Sequence, residues 1–299
     1  MVSESTMRMY EAQLRAFFKK SKFSPDDDFL KDHKEVIKEV HSFYASLHSV
    51  KNVLNALLIY GRSIKYSDKY LAFYSIEIDK IAEQLKNDTL SNEKTDKQKE
   101  NWLGVEELEK ILENLRDDIP AKINGYKSYR IFMKYMALFL MLRFPRRNDY
   151  VHMKLQGHEK NTDDPLTNYI VFDREIRRSY FIFNNYKTFS RYGSQKFPIP
   201  DAVHAFFKKY ISVILANSKD GFLFIKSDES KMNTNEFTKF FIQFMTEKTG
   251  KKIGTTMMRH IIISDKFKMD ANELKERNEL AQAMGHSVSQ QLAYGKSLS

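Results

Sequence analysis

Four short stretches in the second half of the chain carry side chains whose types and spacing could do chemistry. In FPRRNDYVHMKL, residues 144–155, two arginines follow a proline that closes a strongly apolar run, and Asp149 stands three positions after Arg146. An arginine leaving a core helix at such a turn is held by rigid structure and can grip an oxyanion through two parallel N–H donors; the alternative is a solvated charge cluster. In NYKTFSRYGSQKFPIP, Lys187 ends an apolar stretch ahead of a loop containing Gly193. A lysine at a hairpin tip can reach a phosphate and, if desolvated, give up a proton, or it can guard a sheet edge. In GTTMMRHIIIS, Arg259 and His260 open an apolar helical run, where an arginine near a helix N-terminus makes an anion site or pairs structurally. In AMGHSVSQQLAYGK, Gly285 can end one helix and let His286 approach a ligand closely, with Tyr294 on the segment that follows. Either of those last two side chains, taken alone, is more commonly structural.

The elements that must position these residues follow from apolar periodicity. Met7, Tyr10, Leu14, Phe17 and Phe18 share one helical face; Val36, Ile37, Val40, Phe43, Tyr44 and Leu47 form a second, Val53, Leu57 and Tyr60 a third, and Leu71, Tyr74, Ile78, Ile81 and Leu85 a fourth. The run KNDTLSNEKTDKQKEN, 86–101, then loses nearly all apolar character, which marks a solvated linker. WLGVEELEKILENL opens a new amphipathic helix, and Tyr129 to Leu142 is apolar nearly all round, as the centre of a larger core requires. NYIVFD and SYFIFNNYKT are rich in β-branched and aromatic residues and read as paired strands; GFLFI reads as a further short strand. Pro200 and Asp201 suit a helix start, the span from Asn235 to Glu247 reads as another helix, and Ile253 onward reads as helix, broken near Gly285. The pattern predicts a mainly α protein with a small antiparallel β-sheet: an N-terminal helical domain over 1–86, a linker over 87–101 and a mixed α/β domain over 102–299.

Composition bounds the possibilities. At 299 residues and 42% apolar content the chain can fill real cores. The densest apolar stretch, Tyr135 to Leu142, is bounded by Lys134 and Arg143 and is far short of a membrane span, so a soluble protein is expected. With no cysteine there is no disulfide framework, thiolate nucleophile or zinc ribbon, which fits a reducing compartment. The 49 basic residues exceed 39 acidic ones, for a formal charge of +10. That is a spread surplus over a normal acidic content, and it suits a polyanion surface or simple solubility.

Taken in order, Arg146, Lys187, Arg259, His286 and Tyr294 resemble the active-site series of the tyrosine recombinases, or phage-type integrases. PRRNDY looks like the first arginine motif, in which an acidic residue, here Asp149, selects Arg146 over Arg143 or Arg147. YKT followed by PIP looks like the hairpin lysine motif, MMRH like the second arginine motif, MGHS like the Gly-His-Ser motif and AYGK like the nucleophile segment. STMRMYEAQL and SVKNVLNAL resemble parts of the family's helical core-binding domain. Paired arginines after a proline look closer to recombinases of eukaryotic viruses and crypton-like elements than to bacterial chromosome-resolution enzymes. The chain departs from the family in having Thr256 where a histidine usually precedes the second arginine by three residues. His260 is a poor substitute, because one further residue along a helix turns about 100° away; Thr256 is expected to hydrogen-bond at most. The spacing from His286 to Tyr294 also looks one residue shorter than common members, and the segment before it longer.

The resemblance implies a site-specific recombinase or integrase acting on double-stranded DNA. Tyr294 would attack a phosphodiester to leave a 3′-phosphotyrosyl bond and a free 5′-hydroxyl. Arg146, Arg259 and His286 would stabilise the transition state, and Lys187 would act as general acid. Because bond energy stays in the covalent link, no cofactor, ATP or metal is required. A dimer per site and a homotetramer on DNA are implied, with no membrane association. The location implied is intracellular: virion, host cytoplasm or nucleus if the source is viral. Only GKSLS follows Tyr294, so the tail that the family exchanges between neighbours is either minimal or cut short. Two other readings stay open, a type IB topoisomerase that relaxes supercoils, and a DNA-binding relative without catalysis.

Overall fold

Apolar side chains recurring every three or four residues build the first part of the chain as helices. The computed structural model describes residues 4–25, 28–90, 94–157, 162–173 and 178–267, which divide into two compact units, 4–90 and 94–267. The first unit holds α1 (Glu4–Lys20), α2 (His33–Phe43), α3 (Leu47–Ser63) and α4 (Asp68–Leu90). Phe17, Val36, Val40, Val53, Leu54, Leu57, Leu71, Tyr74 and Ile81 meet in one core, joined by Phe29 and Leu30 from a 3₁₀ turn. Each such fully buried apolar side chain contributes about 1.5–3 kcal/mol, far more than differences in helix propensity. A Cβ at Gly61 would lie 2.5 Å from Leu71 Cδ2, so the glycine lets α3 and α4 close together there. Met7, assigned by periodicity to the buried face of α1, remains 37% exposed.

The second unit begins inside the stretch that composition marks as linker. α4 runs on to Leu90, and α5 occupies Asp96–Asn101. α5 has no apolar stripe; a reciprocal cap starts it, with Thr95 N–H donating to Gln98 Oε1 at 2.8 Å and Gln98 N–H to Thr95 Oγ1 at 3.3 Å. Its last residue is tied down as well, since Lys252 N–H donates to Asn101 Oδ1 at 2.7 Å. Capping and a side-chain tether are invisible to an apolar-periodicity reading, which is why this helix was unexpected.

α6 (Val105–Asp117) and α7 (Tyr126–Arg143) follow. α7 is the centre of the larger core, buried from Tyr129 to Leu142 on nearly every face. After it come β1 (Met153–Gln156), β2 (Asn168–Asp173), β3 (Arg178–Phe183), the short α8 (Phe189–Tyr192), β4 (Gln195–Pro198), α9 (Asp201–Asn217), α10 (Thr234–Thr249) and α11 (Thr255–Phe267). The sheet order is β1-β2-β3-β4. The β2–β3 hairpin pairs antiparallel as expected, and β4 continues antiparallel on β3, but β1 lies parallel to β2. The sheet is therefore mixed, a correction to the antiparallel expectation. Alternation sends Ile170, Phe181 and Phe183 into the main core, and Tyr169, Val171, Tyr180 and Ile182 to the opposite face.

GFLFI does not form a strand. It runs beside β1 with two backbone bonds, Leu155 N–H to Gly221 O at 2.9 Å and Leu223 N–H to Met153 O at 3.0 Å, and makes only isolated bridges. Leu223, Phe224 and Ile225 are all buried in succession, so the segment plugs the core instead of alternating across a ladder. Among the described residues no helix is long and apolar enough to cross a membrane.

Candidate active site

The first arginine segment leaves α7 where Pro145 cannot continue the helix. Phe144 N–H still reaches back to Leu140 O at 2.8 Å, and the Phe144 ring stacks on Phe181 with centroids 5.2 Å apart. Tyr150 closes the turn by donating its hydroxyl hydrogen to Phe144 O. The three arginines near this corner then part company. Arg143 makes a two-pronged ion pair with Glu109, one prong at 2.9 Å from Nη2 to Oε2. Arg147 is exposed. Arg146 turns inward: its Cζ lies 4.0 Å from the Phe183 ring centroid and 5.4 Å from that of Tyr186, and its Nε donates to Asp149 Oδ2 at 2.9 Å. Its two Nη groups have no hydrogen-bond partner among the described residues.

Asp149 is 8% exposed. Two influences on its carboxyl conflict: burial pushes the pKa above the ordinary carboxylate range, while Arg146, Arg147 and Arg259 pull it down. Burial is the larger, so the carboxyl sits above its usual value despite the ion pair.

Arg259 stands on the second turn of α11 and is half-buried. Its Nη2 donates to Thr256 Oγ1 at 3.3 Å, and its buried Nε has no partner among the described residues. Burial lowers its pKa, repulsion from Arg147 and then Arg146 adds to the effect, and Asp149 opposes it. Arg146, Arg147 and Arg259 thus all act on the Asp149 carboxyl, and Arg147, Asp149 and Arg146 all act on Arg259. Among the described residues three guanidinium groups act on one carboxylate in this partly desolvated corner, an arrangement that favours an anion.

Asn148 joins the two arginine segments. Its Oδ1 accepts from Thr255 Oγ1 at 2.7 Å, at the start of α11, and its Nδ2 donates to Thr238 Oγ1 of α10 at 2.8 Å. Thr256 is exposed and, among the described residues, accepts a side-chain bond from Arg259, and His260 is exposed on another side of the helix.

Lys187 lies four residues beyond the end of β3, in the connection to β4, and is exposed. Its neighbour Tyr186 reaches both ways, presenting its ring to Arg146 and donating its hydroxyl to Gly193 O at 2.7 Å. The lysine-bearing loop is thus held beside the first arginine. His286 and Tyr294 lie outside the described residues.

Four contributors were not legible as site residues. The RR dipeptide signalled Arg147, but only its field on Arg259 and Asp149 gives it a part. Asn148 and the rings of Phe183 and Tyr186 had no signal beyond their proximity in sequence to Arg146 and Lys187.

No protein-family model matches the chain, and no curated protein matches it. Among solved structures, a crystal structure of XerA recombinase is similar to it with a TM-score of 0.38 and 14% sequence identity, over 99% of this chain and 88% of that one. So distant a likeness assigns no role to a side chain; the contacts of this chain's own residues carry the functional reading.

Proposed function

We propose that this chain breaks and rejoins DNA strands through a 3′-phosphotyrosyl intermediate, as a tyrosine recombinase does. The observation that carries the reading is Arg146 paired with the buried Asp149 at 2.9 Å, with Arg147 and Arg259 acting electrostatically on the same carboxylate and the buried Arg259 Nε without a partner among the described residues. Half-buried guanidinium groups such as Arg146 and Arg259 bind a phosphodiester more strongly than fully solvated ones would. Arg146 and Arg259 stabilise the charge that gathers on the nonbridging oxygens as phosphorus becomes five-coordinate, with His286 donating a further hydrogen bond. The Tyr294 oxygen forms a bond to phosphorus as its proton passes to solvent water, and the bond to the 5′-oxygen breaks. Lys187 protonates that oxygen as it leaves. Attack by a 5′-hydroxyl of another strand reverses the step, which keeps the phosphate bond energy throughout and completes strand exchange. Joining two duplexes in this way calls for two protomers on each, hence a tetramer on DNA.

A nicked DNA duplex that loses the short strand bearing the 5′-hydroxyl after cleavage traps the intermediate. Wild-type protein becomes covalently attached to such DNA, while Tyr294→Phe binds it and traps nothing. Equal behaviour of the two proteins would overturn the enzymatic reading and leave a DNA-binding role. Relaxation of supercoiled DNA without strand exchange would redirect it to a topoisomerase.

A further inference from the structure

Asn168, the first residue of β2, is completely buried, and every hydrogen-bonding position of its side chain is occupied. Its Nδ2 donates to Asp149 O at 2.8 Å and to Asn185 O at 2.9 Å. Its Oδ1 accepts from Asn184 N–H at 2.9 Å and from Asn185 N–H at 2.7 Å. An amide side chain has two donor hydrogens and two acceptor lone pairs, so nothing is left over. The partners belong to two separate segments: Asp149 is the residue that holds Arg146 Nε, and Asn185 stands two positions before Lys187. The far end of the loop is closed by Ser194 Oγ, which donates to Asn184 Oδ1 at 2.6 Å, and Asn184 Nδ2 donates in turn to Thr162 O at 2.7 Å.

We infer that Asn168 is a positioning residue that locks the loop carrying Lys187 to the turn carrying Asp149 and Arg146. The inference rests on the reading of Lys187 as general acid given above. A buried side chain saturated by four bonds to two backbone segments allows neither to slide relative to the other without leaving buried polar groups unpaired. A proton donor on an exposed loop needs such a tether, because general acid catalysis requires the donor within hydrogen-bond reach of the leaving oxygen.

The test uses the full-length protein and two nicked DNA substrates, one ordinary and one with sulfur in place of the 5′-bridging oxygen at the cleavage site. A thiolate leaves without being protonated, as the thiol pKa of about 8.5 indicates, so only defects in proton donation are relieved by the sulfur substrate. Asn168→Ala is expected to cleave ordinary DNA at least about 100-fold more slowly than wild type, the lower end of what a general acid supplies. On the sulfur substrate it should come within a few-fold of wild type, as Lys187→Ala should. If Lys187→Ala is rescued and Asn168→Ala is not, or if Asn168→Ala cleaves ordinary DNA normally, the positioning role is wrong while the lysine's role stands. If Lys187→Ala is not rescued, the general-acid assignment fails and takes the inference with it. Should Asn168→Ala not fold, Asn168→Asp keeps both acceptor positions for the Asn184 and Asn185 amides, loses the donors, and is read the same way. Hydrogen exchange of the wild type supplies a check free of any variant: the Asn184 and Asn185 amides should exchange far more slowly than that of Lys187, and equally fast exchange would overturn the lock.

Discussion

Replacing Arg259 with methionine should make the protein more stable and less active, and the structure says roughly by how much. The substitution keeps most of the apolar stem and removes a guanidinium whose buried Nε has no partner among the described residues. Leaving such a donor unsatisfied costs about 1–3 kcal/mol. The repulsion from Arg147 and Arg146 adds little that can be counted, because the guanidinium is only half-buried and solvent screens it. Against the gain stands one long hydrogen bond, 3.3 Å to an exposed Thr256, worth at most about 1 kcal/mol. The balance is a stabilisation of up to about 2 kcal/mol, and at about 2–4 °C per kcal/mol for a unit of this size Tm should rise by up to about 8 °C. Calorimetry reads the melting of the second unit, and a millimolar sulfate titration reads its anion linkage. Sulfate should raise Tm of the wild type more than that of Arg259→Met, since a ligand stabilises only the state that binds it. DNA cleavage by the variant should fall by about 10²–10³-fold. A drop in Tm, or an equal response of both proteins to sulfate, would refute the account of Arg259 as an uncompensated anion-binding group.

Arg143 and Arg146 lie three residues apart and should separate cleanly. Arg143→Met loses the pair to Glu109, which is about one-third exposed on each side, so urea unfolding should show a loss of about 1 kcal/mol or less with cleavage unchanged, whereas Arg146→Met should lose cleavage. The Asp149 carboxyl should show in the pH dependence of stability. Because burial raises its pKa in the folded state, its contribution is fully present below the ordinary carboxylate value of about 3.9 and is lost as pH rises through the raised folded value. Urea unfolding of wild type and Asp149→Asn from about pH 3.5 upward should therefore show the wild type losing stability relative to the variant as pH rises; a relative gain would mean that the ion pair with Arg146 outweighs burial.

Much of the fold was legible because its signals are local. Val36, Val40, Val53, Leu57, Tyr74 and Ile78 lie inside because their spacing puts them on single helix faces, and α7 declares its central place by being apolar on nearly every side. The β2–β3 hairpin joins two neighbouring runs of β-branched and aromatic residues. β1 and β4 escaped notice because each has four residues, too few to establish a period of two. The parallel direction of β1 against β2 is a non-local pairing with no sequence signature, and α5 rests on a cap and a tether instead of an apolar stripe.

The candidate site divides along the same line. Sequence alone determined the chemistry on offer, since guanidinium, ammonium, imidazole and phenol are properties of residue type, whereas the preference for Arg146 over its neighbours came from a family resemblance. Only the tertiary structure decided that Arg143 is spent on Glu109, that Arg147 adds its field to Arg259, and that Asn148 and Asn168 bind the arginine turn to α11 and to the lysine loop. The reason is physical: a pKa, a repulsion or a saturated amide depends on distances between groups remote along the chain, and those distances exist only once the core has packed.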